Sequence, residues 1–268
     1  MERKESETAA AYYSRRNSSF YKKYVKQIEK VTFPKQGCTS DVGILHTAKG
    51  IYVLKRAKGG KYRKWLFKEY YVLGNIRMLG KFRSPNAYKF VQTAEQSWLL
   101  LEFFEGKTVR EYLEKEDNEK KREHVVYEMG RLLARIHDAK CPKRLVSKQP
   151  WIHRMLQEAE YNLTHYKVDG NQQLLKQLQK QNMICRKEVL IHGDYTIDNV
   201  LVHDGRITAV IDWSGETCGD ARYDMALAVR FEDGIFTGKE RASFFKGYGK
   251  QISQSEFCYF AEGLYEFF

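Results

Sequence analysis

The sequence of 268 residues lacks several features that mark whole classes of protein. No apolar run approaches the roughly 18–20 residues that a membrane-spanning helix needs, so we expect no membrane partner. The first residues are charged and contain no apolar signal core, which favours a cytoplasmic over a secreted protein. No internal repeat, low-complexity tract or linker to a further domain is apparent.

Closely spaced cysteines are also missing from the sequence. The five cysteines are scattered along the chain, and none forms a CxxC pair: Cys38, Cys141, Cys185, Cys218 and Cys258. An odd, dispersed set is typical of reduced thiols in a cytosol. We therefore expect free thiols and no zinc site.

The composition is that of a folded protein with a strong positive charge. Hydrophobic residues make up 43% and charged residues 30%, and the formal net charge is +12. Basic proteins often bind nucleic acid. No base-reading basic helix, RNP-like motif or zinc finger is present, so nucleic acid is an unlikely main partner. Solubility accounts for part of the charge.

One stretch, residues 189–213, carries most of the information. Apolar strands predicted at 200–202 and 207–211 flank Asp204-Gly205, which is the strongest short signal for a tight hairpin. Folding the chain about this pair places residue 203 opposite 206 and residue 199 opposite 210.

That register makes Asp212 the diagonal neighbour of Asn199 on the same face, roughly 7–8 Å away. An amide oxygen and a carboxylate at this separation suit a hard cation. Asp194, in the loop that enters the hairpin, adds a second carboxylate.

Two charged residues upstream fall on apolar faces. Lys55 shares a face of the strand predicted at 51–56 with apolar side chains, and Glu69 lies within the apolar stripe of the helix predicted at 61–79. Burying either charge alone would cost free energy, and an ion pair between the two would offset both costs. The alternative is that both side chains extend to solvent.

The first forty residues give weaker signals. The spacing of Tyr21, Tyr24, Val25 and Ile28 predicts an amphipathic helix that packs on the first lobe. In the polar loop that follows, backbone amides and the hydroxyls of Thr39 and Ser40 could bind phosphate oxygens. An ordinary hairpin turn is the alternative for this loop.

The pattern His192-x-Asp194-x-x-x-x-Asn199, followed by Ile211-Asp212, resembles the catalytic core of the protein-kinase-like superfamily. Three features resemble its aminoglycoside phosphotransferase and choline kinase branch: the sequence HGD in the first motif, IDW in place of DFG, and the later Gly219-Asp220-x-x-x-Asp224. The resemblance covers roughly residues 30–268.

The resemblance implies an α+β, two-lobed protein-kinase-like fold. A small N-terminal lobe with an antiparallel sheet, residues 1–104, would bind the nucleotide. A larger, mostly helical C-terminal lobe, residues 105–268, would carry catalysis and the acceptor pocket. Glu102, Phe103 and Phe104 would form the hinge, contact the purine base and wall its pocket.

The resemblance also implies the chemistry, which is transfer of the γ-phosphate of ATP or GTP to a hydroxyl. Lys55 and Glu69 would hold the α- and β-phosphates, and Asn199 and Asp212 would bind Mg²⁺. Asp194 would accept the proton of the hydroxyl as catalytic base.

His192 would be a scaffold residue. Asp220, a plausible helix cap, would brace the catalytic loop together with Asp224. Asp198 is either exposed or an outer partner of the metal.

The acceptor is expected to be a small molecule. The segment between Asp212 and Asp224 is too short for the peptide-binding activation segment of a protein kinase. An aminoglycoside, a choline-like compound, a sugar or another metabolite all stay open. The rival interpretation is a catalytically silent kinase-like binding or structural protein.

Overall fold

The computed structural model describes residues 28–34, 39–181, 183–185, 187–215 and 217–268. The chain divides into two compact units. The first comprises Met1–Gly74 and Pro85–Phe103, and the second Asn75–Ser84 and Phe104–Phe268. The division that we predicted at residue 104 stays a prediction. Within the described residues, no helix is long and apolar enough to cross a membrane.

The first unit is built on a five-stranded antiparallel sheet in the order β1-β2-β3-β5-β4. Its strands are β1 (Ile28–Thr32), β2 (Asp41–Thr47), β3 (Gly50–Lys58), β4 (Ala87–Gln92) and β5 (Gln96–Glu102). Leu45, Leu54 and Leu100 form a buried cluster on one face of this sheet. The helix α1 (Gly60–Ile76) follows β3 and leads into a 3₁₀ turn, Arg77–Leu79.

The helix predicted before the sheet lies outside the described residues except at Ile28, where the prediction is wrong. Ile28 is the first residue of β1 and pairs with Thr47 of β2. A β-branched residue at this position fits a strand as well as a helix face, so the helical spacing alone could not decide between them.

The second unit is mostly helical. Its helices are α2 (Val109–Leu113), α3 (Glu119–His137), α4 (Trp151–His165), α5 (Gln172–Gln181), α6 (Ala221–Ala228), α7 (Gly238–Tyr248) and α8 (Gln254–Ala261), with 3₁₀ turns at Lys143–Leu145 and Leu264–Phe267. Its strands are β6 (Lys107–Thr108), β7 (Glu188–Leu190), β8 (Val200–His203), β9 (Arg206–Val210) and β10 (Cys218–Asp220). They form two small antiparallel sheets, β6-β8-β9 and β10-β7. The predicted α+β architecture is confirmed.

Local sequence explains where these helices begin. Thr108 starts α2 with a capping box, in which its hydroxyl accepts from the Glu111 amide and the Glu111 carboxylate accepts from the Thr108 amide. Asn118 caps α3 through its side chain. The buried face of α3 has helical spacing, with Met129, Leu133 and Ile136 fully buried.

The expectation of free thiols is wrong for two cysteines. Cys141 and Cys218 form a disulfide, with their Cα atoms 6.2 Å apart, a separation typical of such bridges. Cys185 and Cys258 are free. The paired cysteines lie 77 residues apart and are brought together by the tertiary fold, so their spacing held no cue to the pairing.

Close packing of α3 on α7 depends on glycine. A Cβ added at Gly130 would come within 2.9 Å of the Tyr248 nitrogen and closer still to the Phe244 carbonyl oxygen. These are backbone atoms and cannot move aside without shifting a helix. The missing side chain at Gly130 is therefore what lets the two helices approach.

We predict that Gly130→Ala lowers the free energy of unfolding by about 1–3 kcal/mol, because the added methyl overpacks a closed interface. The matched control is Gly74→Ala in α1, where a Cβ meets nothing within 4 Å. That change should stabilise by roughly 0.5–1 kcal/mol, because alanine is the better helix former. Urea unfolding of each variant measures both, and a neutral or stabilising Gly130→Ala would contradict the packing argument.

Candidate active site

The hairpin predicted between residues 200 and 211 is present. Strands β8 and β9 pair antiparallel, with His203 opposite Arg206 as predicted. Asp204 and Gly205 have φ values of 49° and 71°. Positive φ at both central residues is what a type I′ turn requires, and Asp-Gly supplies it at little cost.

Further from the turn, the predicted register is wrong by one residue. A β-bulge between Leu201 and Val202 places Leu201 opposite Ala209, but Val202 opposite Ile207. The extra residue shifts the pairing beyond it, so Asn199 lies opposite Ile211, whose amide donates to the Asn199 carbonyl at 2.9 Å. The predicted diagonal between Asn199 and Asp212 therefore does not follow from strand pairing.

Asp194 is held by two side chains. The Asn199 amide nitrogen donates to Oδ2 of Asp194 and to its main-chain oxygen, both at 2.8 Å. The hydroxyl of Tyr265 donates to Oδ1 at 2.9 Å. Both carboxylate oxygens are thus engaged, while the residue stays partly exposed.

Burial raises the pKa of Asp194, and the nearby negative charge of Asp212 raises it further. The His192 ring and the hydrogen bonds from Tyr265 and Asn199 act in the opposite direction.

Asp212 itself has an uncommon backbone conformation. Its φ is 62°, in the left-handed region that non-glycine residues rarely adopt. Ser214 donates to its Oδ1 at 3.0 Å. Such conformations cost free energy and cluster at functional sites.

The donor chemistry of Asn199 and Asp212 suits a magnesium ion. Asn199 uses its amide nitrogen on Asp194, so a cation would meet the amide oxygen. Amide and carboxylate oxygens are ligands that Mg²⁺ prefers, and it usually takes only one or two from protein. The described part of the chain contains no group of three or more His, Cys, Asp or Glu residues that could hold a metal.

Hydrogen bonds to Asp224 hold the loop that carries Asp194. This carboxylate is fully buried and accepts from the amides of His192 (2.6 Å) and Gly193 (2.8 Å). Its Oδ2 also contacts the His137 ring at 3.2 Å, and His137 in turn contacts the Tyr248 hydroxyl. Asp224 therefore orients consecutive peptide units of the loop.

His192 is packed inside the second unit, which is consistent with the scaffold role predicted for it. It is fully buried, its Nε2 contacts the carbonyl oxygen of Ile211 at 2.9 Å, and its ring packs edge-on against Trp213. Asp220 caps α6 by accepting from the Arg222 amide, and it pairs with the Arg222 guanidinium.

Asp198, whose role was left open, pairs with Arg110. The guanidinium donates to both carboxylate oxygens of Asp198, at 2.6 and 2.8 Å, and also binds Glu232. These two carboxylates raise the pKa of Arg110 above its usual value. The contact ties the loop that carries Asp194 to the turn at Glu232, which no sequence spacing suggested.

In the first unit, Lys55 and Glu69 meet as predicted. The Lys55 ammonium donates to both carboxylate oxygens of Glu69, at 2.8 and 2.9 Å. Lys55 is 7% and Glu69 1% exposed, so the alternative of two solvent-directed side chains is excluded. Arg56 uses the opposite face of the strand and pairs with Asp41.

The other predicted nucleotide contacts stay predictions. Thr39 and Ser40 are half-buried, and residues 35–38 of their loop lie outside the described residues. Glu102 accepts from the backbone and side-chain nitrogens of Asn86, at 3.1 and 2.6 Å. Phe103 is half-buried.

Phe104, assigned to the second unit, lies beneath the Arg83 guanidinium, whose central carbon is 5.2 Å from the ring centre. Its predicted role in walling the base pocket likewise stays a prediction.

Sequence reasoning missed Tyr265. The aromatic C-terminal segment reads as packed core, and Phe260 and Phe267 are indeed fully buried. Tyr265 differs by carrying a hydroxyl that needs a partner when it is drawn into a packed region. The need of a buried hydroxyl for a hydrogen-bond partner was the signal that the sequence offered for Tyr265. The sequence did not identify that partner.

The sequence profile of the phosphotransferase enzyme family matches residues 30–260. The chain belongs to this family. A curated relative, an aminoglycoside 3′-phosphotransferase from Salmonella typhimurium, is 25% identical over 197 residues, which cover 69% of this chain and 70% of that protein. The resemblance read from the catalytic motifs is confirmed.

Solved structures show the same fold. An aminoglycoside-3′-phosphotransferase of type VIII superposes with a TM-score of 0.75 at 20% identity, over 89% of this chain and 93% of that one. The ternary complex of the phosphotransferase APH(2″)-IIa with streptomycin and ATP superposes with a TM-score of 0.66 at 17% identity, over 89% and 82% of the chains. The predicted kinase-like fold is confirmed.

We predict that Asp224→Asn lowers the free energy of unfolding by about 2–4 kcal/mol, because an amide group would turn a donor toward buried N–H groups. The matched control is Asp204→Asn in the exposed hairpin turn, where Asn-Gly supports the same turn type. That variant should stay within about 0.5 kcal/mol of the parent in urea unfolding. Equal effects of the two substitutions would contradict the bracing role.

Proposed function

We propose that the protein transfers the γ-phosphate of ATP or GTP, with Mg²⁺, to a hydroxyl group of a small molecule. The observation that carries this proposal is the geometry around Asp194. A partly exposed carboxylate is held in place by hydrogen bonds from Asn199 and Tyr265. Phosphoryl transfer asks a protein mainly for such positioning and for charge neutralisation.

Asp194 would act on the acceptor. Its carboxylate would accept a hydrogen bond from the incoming hydroxyl, direct the oxygen at the γ-phosphorus and take the proton as the new bond forms. The residue is only partly buried, which permits this approach, and the hydrogen bonds from Asn199 and Tyr265 oppose the effect of burial on its pKa.

Asn199 and Asp212 would hold magnesium through side-chain oxygens. When bound, the ion would offset negative charge on the phosphates. The interaction of Ser214 with Asp212 and of Asp194 with Asn199 sets the orientation of both side chains before any ligand arrives.

Lys55 would bind the α- and β-phosphates, with Glu69 as its orienting partner. A buried ion pair contributes little to stability by itself, because the cost of desolvation offsets the attraction. Its presence on an otherwise apolar face is more readily explained by a ligand that needs the lysine.

The acceptor class stays broad in this proposal. Known relatives are aminoglycoside phosphotransferases, and aminoglycosides are polycations that need carboxylates. Several acidic residues of the C-terminal region already have arginine partners: Glu232 with Arg110, Glu256 with Arg222 and Glu266 with Arg230. We therefore propose a hydroxyl-bearing antibiotic or metabolite, including choline-like compounds and sugars.

We further propose a cytoplasmic location, where nucleoside triphosphates are available. In a reducing cytoplasm the Cys141–Cys218 disulfide would be reduced to a neighbouring pair of thiols.

We predict that Asp194→Asn retains nucleotide binding and loses about 10²–10⁴-fold in turnover, because the amide cannot take a proton. The measurement is phosphate transfer from ATP and GTP to a panel of aminoglycosides, choline and sugars. Asp204→Asn, in the turn of the same hairpin, is the control and should match the parent. Full activity in Asp194→Asn would refute its role, and no transfer by the parent would favour the silent binding protein.

We predict that the double variant Lys55→Met/Glu69→Met folds with near-parental stability but loses nucleotide binding. Replacing a buried ion pair by apolar residues is often neutral, whereas Glu69→Met alone leaves a buried charge and should cost about 3–5 kcal/mol. The assay is thermal unfolding with and without magnesium and ATP. At 100 times the dissociation constant the nucleotide should stabilise the parent by about 2.7 kcal/mol. An undiminished shift in the double variant would rule out phosphate binding by Lys55.

A further inference from the structure

The 3₁₀ turn Leu264–Phe267 brings a tyrosine to the catalytic loop. The phenol oxygen of Tyr265 lies 2.9 Å from Oδ1 of Asp194, across 71 residues of sequence. An ionised carboxylate only accepts hydrogen bonds, so the phenol is the donor. No other part of the proposed reaction requires this contact.

The turn that presents the phenol is anchored on both sides. Leu264 and Phe267 are fully buried. The side-chain nitrogen of Asn162, in α4, donates to the Phe267 carbonyl at 3.0 Å, and the Gly170 amide donates to the Glu266 carbonyl at 2.8 Å. The backbone under Tyr265 is therefore fixed to the body of the second unit.

The ring itself is also constrained. The Arg230 guanidinium lies over its face, 4.8 Å from the ring centre, and the same arginine pairs with Glu266 at 3.5 Å. The ring of the buried Tyr223 is 6.5 Å away at a tilted angle. With backbone and ring both fixed, the hydroxyl has a defined position at Asp194.

We propose that Tyr265 is a positioning residue for the phosphoryl transfer of the proposed function: together with Asn199 it fixes the plane of the Asp194 carboxylate. Asn199 holds Oδ2 and Tyr265 holds Oδ1, so rotation about the side-chain bond breaks at least one contact. A carboxylate offers about four acceptor positions, so each oxygen keeps capacity for an acceptor hydroxyl.

This role explains why a tyrosine, and not a phenylalanine, occupies a site within an aromatic core. Hydrogen bonds to both oxygens define an orientation in a way that one bond cannot, and small misplacements of a reacting group cost large factors in rate. The opposite possibility is that the phenol occupies the position of the acceptor hydroxyl and must leave before turnover.

Tyr265→Phe tests the proposal, with Tyr259→Phe as the matched control. Tyr259 is buried in the neighbouring α8, and its hydroxyl contacts the Leu178 carbonyl oxygen at 3.5 Å, away from Asp194. We expect Tyr265→Phe to lower kcat about tenfold with an unchanged KM for ATP, because only orientation is lost. Tyr259→Phe should match the parent in kcat, and both variants should have similar melting temperatures.

The kinetic assay uses ATP, magnesium and whichever compound of the panel the parent phosphorylates. Unchanged kcat in Tyr265→Phe, or an equal loss in Tyr259→Phe, would overturn the proposal. An increase in kcat would also overturn it, since that result identifies the phenol as a blocking group.

Crystal structures of the parent and of Tyr265→Phe give a readout that does not need turnover. We expect one orientation of the Asp194 carboxylate in the parent and a second, rotated orientation in the variant. If the parent phosphorylates no compound, the proposed function fails, and these structures alone decide the positioning role. An identical single orientation in both proteins would overturn it.

Discussion

The buried carboxylate of Asp224 is the interaction on which the rest of the site depends. It accepts from the amides of His192 and Gly193, and its contact with His137 links it to α3. The loop has no regular ladder of its own at this point, so these bonds satisfy its backbone groups and set its path. The position of Asp194, directly after Gly193, follows from that path.

Around Asp224, ion pairs connect the elements of the second unit. Arg110 joins the catalytic loop at Asp198 to the turn at Glu232, and Arg222 joins the start of α6 to α8 through Glu256. The arginines are partly buried and use several donors each, which gives directional contacts that lysine cannot reproduce. The high positive charge of the chain is thus partly structural.

Features set by short-range chemistry could be predicted from the sequence. The Asp204-Gly205 turn follows from positive φ at two residues, and the Lys55–Glu69 pair follows from two charges that apolar faces cannot tolerate alone. The bulge at Thr208, between the Leu201 and Val202 pairings, could not be predicted, because the short apolar runs of β8 and β9 fit either register. The Cys141–Cys218 bridge and the Tyr265 contact depend on tertiary packing between distant segments.

We propose that the hairpin and the loop that enters it divide two tasks, with Asn199 and Asp212 for a divalent ion and Asp194 for the acceptor. A crystal structure with a non-hydrolysable ATP analogue and Mn²⁺, with the ion located by its anomalous scattering, tests this division. We expect an ion bound by the Asn199 side-chain oxygen and the Asp212 carboxylate, with Asp194 uncoordinated and held by Tyr265. An ion coordinated by Asp194, or bound away from both Asn199 and Asp212, would contradict it.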